Sequence, residues 1–112
     1  MKSPLTIIRE GNRPNWLATV DMHTGELRVN GARWDALAPE HRRFFLLHEE
    51  AHFTTKNPDE LLADRLAFTS FIGEGYAPAH AVRALATVLN PRIPEHELRL
   101  SIMQRRAARY QS

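Results

Sequence analysis

No cysteine occurs in this chain of 112 residues. Its absence excludes disulfides, thiolate metal sites and a cysteine nucleophile, and it leaves His, Glu and Asp as the side chains able to hold a metal. Long apolar runs are missing too. No stretch approaches the ~20 residues needed to cross a bilayer, and residues 1–10 hold too short an apolar run for a secretion signal. A cytoplasmic location with no membrane partner is therefore expected. Neither sign of charge dominates: fifteen basic against thirteen acidic residues leave a net +2, which implies no whole-surface attraction to nucleic acid.

What is present reads as one folded domain over residues 1–112. Hydrophobic residues make up 43% and charged residues 25%, which is enough apolar material for a single modest core and argues against disorder. The first third alternates short runs rich in β-branched and aromatic residues (5–8, 16–20 and 26–30) with segments such as Gly11-Asn12-Arg13-Pro14-Asn15 and Asp21-Met22-His23-Thr24-Gly25. Three strands are predicted, the second and third forming a hairpin in a small antiparallel sheet. Asn30-Gly31 ends the third strand, and Trp34 and Leu37 tuck a connecting turn into the core.

From Pro39 the apolar period becomes helical. Pro39 suits the first helical position and Glu40 the positive end of the helix dipole, and Phe44, Phe45, Leu46, Leu47 and Ala51 give a nearly buried helix to about Phe53. A second helix starts at Asn57-Pro58-Asp59-Glu60, with Asn57 as N-cap and Pro58 at the first position, and it ends at Gly73 or Gly75. A third spans about 78–89. A fourth begins near Pro94 and places Leu98, Ile102, Met103 and Tyr110 on one side. The fold class that follows is α+β, a small sheet and then about four helices.

The chemistry lies in Phe44-Phe45-Leu46-Leu47-His48-Glu49-Glu50-Ala51-His52. His48 and His52 stand one helical turn apart with Glu49 directly after the first, an H-E-x-x-H pattern. Both imidazoles can reach one Zn²⁺ while Glu49 acts as general base on the water that the metal holds. A catalytic zinc site needs a third protein ligand. Glu60, eight residues after His52 at the start of the next helix, is the candidate, and the alternative for it is a capping box with Asn57. Asp64, one turn further, can orient a ligand histidine, or it can be an exposed aspartate paired with an arginine. For a donor to the developing oxyanion, Tyr76 and His80 are candidates by chemistry, with Tyr110 a third. His23, His41 and His96 read as surface residues, as His80 otherwise would.

These residues resemble a family. His48-Glu49-Glu50-Ala51-His52 followed by Glu60-Leu61-Leu62-Ala63-Asp64 looks like the H-E-x-x-H plus E-x-x-A-D pattern of gluzincin metallopeptidases. Arg65-Leu66-Ala67-Phe68 and then Gly75-Tyr76-Ala77-Pro78 are similar to the segment after the third ligand in prenyl-protein endoproteases and their soluble relatives. The resemblance covers about residues 34–90. It implies a minimal zincin-like fold with His48, His52 and Glu60 on zinc, Glu49 as general base and Asp64 in support. The short gap between His52 and Glu60 is closer to compact ImmA/IrrE-like proteins of bacteria and mobile elements, and Glu50 stands where such motifs usually have an apolar residue.

The expectation is a zinc-dependent peptidase acting on a protein or peptide, whose main chain could run along the edge of the third strand. Two rivals stand beside it. One is a non-catalytic zincin-like regulator or assembly protein that contacts its partner through the basic C-terminal helix within residues 92–110. The other is a nucleic-acid-binding protein using that same segment.

Overall fold

The computed structural model describes residues 3–11 and 17–111, with the side chain of Gln111 left out, and the turn at 12–15 and the strand start at Trp16 lie outside the described residues. Its element order is β1 (Thr6–Glu10), β2 (Ala18–Val20), β3 (Glu26–Asn30), α1 (Gly31–Ala36), α2 (Pro39–Thr55), α3 (Glu60–Gly73), α4 (Pro78–Val88) and α5 (Pro94–Gln111). The α+β class is as expected, with five helices because a six-residue helix replaces the turn after β3. Asn30 starts that helix by accepting the Arg33 amide on its side chain, and Trp34 and Leu37 are buried as the sequence suggests.

The sheet is mixed, not antiparallel, with strand order β1-β3-β2. β2 and β3 do form the hairpin, pairing antiparallel with Ala18 opposite Val29 and Val20 opposite Leu27. Its turn is held by Asp21, whose carboxylate accepts the amides of His23 and Thr24 at 2.8 and 3.1 Å, and it closes at Gly25 with φ +78°. A Cβ at Gly25 would sit 3.1 Å from the Pro4 carbonyl oxygen and 3.2 Å from the Phe53 ring, so both the turn and the close approach require glycine. β1 then pairs in parallel with β3, not with its sequence neighbour. The reason is burial: β3 carries Leu27 and Val29, both wholly buried, whereas β1 and β2 are partly exposed, so β3 takes the centre.

Helix α2 runs through the middle of the molecule, packed on β2, α3 and α4. Phe44 is fully buried, meeting Phe45 and Phe71 edge-on at 6.0 and 5.5 Å. Leu85 of α4 and Met103 of α5 belong to the same core. On α5 the inward residues are Leu100, Met103 and Ala107, while Leu98 and Tyr110 are exposed, so the side expected from the sequence is only partly the buried one.

Helix α2 extends two residues past Phe53 and stops at Lys56, which is left-handed at φ 54°. Helix α3 is capped by Asp59, not Asn57, and Pro58 precedes the cap. The Asp59 carboxylate accepts the Leu61 amide at 3.0 Å, while Asn57 accepts the Asp59 amide at 2.9 Å and shapes the turn instead. Since Asn57 is not the cap, Glu60 is not the third residue of a capping box.

Candidate metal centre

The reversal at Lys56 folds the start of α3 back against the last turns of α2 and sets Glu60 opposite His48 and His52. The histidine Nε2 atoms lie 3.2 Å apart, and Glu60 Oε1 is 3.3 Å from that of His48 and 2.5 Å from that of His52. Both histidines are buried, while the Glu60 side chain is half exposed, so the three donors converge at the edge of the buried interior.

Each imidazole is held from behind. His52 Nδ1 donates to the Asn57 carbonyl at 2.8 Å, so that in the neutral ring the lone pair is on Nε2, the nitrogen that faces the cluster. His48 Nδ1 lies 3.0 Å from Asp64 Oδ1, off the direction of an ideal hydrogen bond, and has no other protein partner among the described residues. Asp64 is 2% exposed and accepts two bonds from Arg99 of α5, from Nε at 2.8 Å and Nη2 at 3.0 Å. Arg99 Nη1 also donates to Glu60 Oε2 at 3.1 Å.

At 2.5 Å, His52 Nε2 and a Glu60 carboxylate oxygen cannot both present lone pairs, so a proton or a cation must lie between them. The group of His48, His52 and Glu60 could hold a metal ion. With bonds of ~2.0–2.1 Å, donors around a tetrahedral metal stand ~3.3 Å apart. Two of the three separations already have that length, and the third needs a shift of under ~1 Å at Glu60 or His52. Two imidazoles, one carboxylate and no thiolate form a donor set that suits zinc and its first-row neighbours.

The charges fit such a site. Hydrogen bonds from His48 and His52, with Arg99 nearby, hold the Glu60 carboxyl well below the usual carboxylate range. Burial alone would raise Asp64, but His48 and Arg99 together bring it below its ordinary value. Burial works against a charged His48, yet Asp64 and Glu60 outweigh it and raise the imidazole to about 9. Glu60 likewise raises His52. Burial raises the Glu49 carboxyl, partly offset by the two histidines, which makes Glu49 a stronger proton acceptor than a surface glutamate.

A pH dependence follows. In metal-free protein His48 carries a folded-state value above its ordinary 6.5, so the stability it adds is full below about 6.5 and lost as pH rises through about 9. A metal must displace that proton, so its binding should tighten as pH rises over the same window. Thermal melts with chelator and with zinc should therefore diverge from pH 6 to 9, and parallel curves would contradict this protonation pattern.

Two cavities of about 270 and 300 Å³ flank the cluster and share Ala18, Glu49 and Glu60. β2 lines the first with Ala18, Thr19 and Val20, and among the described residues it pairs on one side only, with β3. The edge beside the cluster is thus β2. β3, expected to offer it, is central and paired on both sides.

Tyr76 and His80 do not line either cavity. Tyr76 is stacked flat on Phe71, ring centres 4.4 Å apart, and His80 stands on α4 near His41. Tyr110 sits edge-on to Phe68 at 5.9 Å. His96, read from the sequence as a surface residue, does line the second cavity with Arg99. Its Nδ1 accepts the Asn90 amide at 3.0 Å, so the proton of the neutral ring is on Nε2. Glu50 lines neither cavity but a separate groove between α2 and α3 with Leu47, Thr54 and Leu66.

No protein family, curated protein sequence or solved structure matches this chain. No helix among the described residues is long and apolar enough to cross a membrane.

Proposed function

We propose that the chain is a minimal zinc metallopeptidase of gluzincin type, and that its substrate is a protein or peptide. The observation that carries the reading is the convergence of His48 Nε2, His52 Nε2 and Glu60 Oε1 beside a cavity that Glu49 also lines. A bound zinc ion would supply Lewis acidity, polarising a carbonyl and lowering the pKa of water. Glu49 would take a proton from the water as its oxygen bonds to the carbonyl carbon and would give it to the amine nitrogen as the C–N bond breaks, a role that suits a carboxylate raised by burial. An extended main chain can pair with the edge of β2 that no strand among the described residues covers, and so lie across the cluster. His96, with its Nε2 proton, is better placed than Tyr76 or His80 to donate to the carbonyl oxygen.

The rival reading as a nucleic-acid-binding protein loses part of its surface. Arg99 is taken up by Asp64 and Glu60, and Arg106 lies over the Phe68 ring at 5.9 Å. The test is one zinc per chain together with cleavage of a proteome-derived peptide library read by mass spectrometry. Chelation should abolish cleavage and added zinc restore it. Stoichiometric zinc with no cleavage of any peptide would favour the non-catalytic binding module, and no zinc at all would defeat both.

A further inference from the structure

The geometry points to Arg99 as the positioning residue that keeps Glu60 on the metal through one oxygen only, an inference that rests on the metal site just proposed. A glutamate can give a metal one carboxylate oxygen or both. Here the two oxygens are already divided: Oε1 faces the two imidazoles at 3.3 and 2.5 Å, and Oε2 accepts Arg99 Nη1 at 3.1 Å.

Arg99 is itself fixed. Its Nε and Nη2 grip both oxygens of Asp64, and its side chain is 11% exposed, so the guanidinium plane has little freedom to follow Glu60 elsewhere. Through Asp64 the same guanidinium also sets the ring of His48. One side chain from α5 therefore orients two of the three donors. Were Oε2 released, it could turn inward as a fourth protein donor beside the water and raise the coordination number from four to five. A lysine cannot substitute, because one ammonium cannot fork across Asp64 and still reach Glu60.

The test uses cobalt(II) in place of zinc in the full chain, since its visible bands are intense in four-coordinate sites and weaken as coordination number rises. Arg99→Gln and Arg99→Lys are compared with wild type at saturating cobalt, the lysine variant retaining a cation for Asp64 should the glutamine variant not fold. Both should bind metal about 10–100-fold more weakly, and both should lose band intensity once saturated. A merely structural arginine would lower affinity or stability but leave the saturated spectrum alone. Wild-type spectra from either folded variant, or a wild-type band already as weak as theirs, overturn the inference. If wild type takes up no cobalt, or if His48→Ala takes it up equally well, the metal site itself fails and the inference falls with it.

Discussion

Glu49→Gln should keep its metal and lose its turnover. Glu49 is not among the three converging donors, so replacing its carboxylate by a near-isosteric amide leaves His48, His52 and Glu60 in place and zinc stoichiometry unchanged. What it removes is the proposed proton acceptor. Glu49 follows His48 directly on α2 and lines both cavities beside the cluster, and burial raises its carboxyl above the ordinary carboxylate value. Loss of a general base costs ~10²–10⁴ in rate. Cleavage of a peptide by zinc-loaded E49Q should fall by about that factor, with equal metal content as the control. Undiminished cleavage would remove Glu49 from the chemistry, and loss of metal together with activity would make it part of the binding site instead.

The cluster was legible in the sequence because local geometry sets most of it. His48 and His52 share a face of α2 by helical period alone, and the short gap to Glu60 leaves the chain little choice but to turn back at once. The α+β class was legible for the same reason, since the apolar period changes near Pro39. What could not be read depended on packing between distant segments. Arg99 lies 35 residues beyond Asp64, and in the sequence it is one of several arginines on a basic helix. One signal pointed to it: an aspartate four residues after Glu60 falls on the inner face of α3, and a buried carboxylate calls for a cation. The sheet order turned on which strand carried the most buried side chains, which Leu27 and Val29 decide only against the finished core. The cap at Asp59 prevailed over Asn57 because both sit in one turn and only the later carboxylate reaches the Leu61 amide. The chemistry of Tyr76 and His80 does not fix where they lie, and stacking on Phe71 commits Tyr76 to the core side instead.

Asp64→Ala should be the most destabilising single change at this site. Asp64 is 2% exposed and is the common partner of His48 Nδ1 and the Arg99 guanidinium, both withdrawn from solvent. Alanine leaves a buried cation with Glu60 Oε2 as its remaining anionic contact and an imidazole nitrogen with none. Breaking a buried pair by removing one member costs ~3–5 kcal/mol, which for a chain of this size lowers the melting temperature by roughly 10–20 °C. The double change Asp64→Leu with Arg99→Met separates the two roles of the pair. Replacing both charges by apolar groups of similar size is often close to neutral, so stability should largely return. Metal affinity should not, because His48 still lacks its orienting carboxylate and Glu60 its grip on Oε2, and a deficit of about 10–100-fold should persist. Chemical denaturation and zinc titration of the two variants read these quantities separately. An Asp64→Ala protein within ~0.5 kcal/mol of wild type, the range of an ordinary surface substitution, would mean that the Asp64–Arg99 pair does not bind α5 to the metal centre.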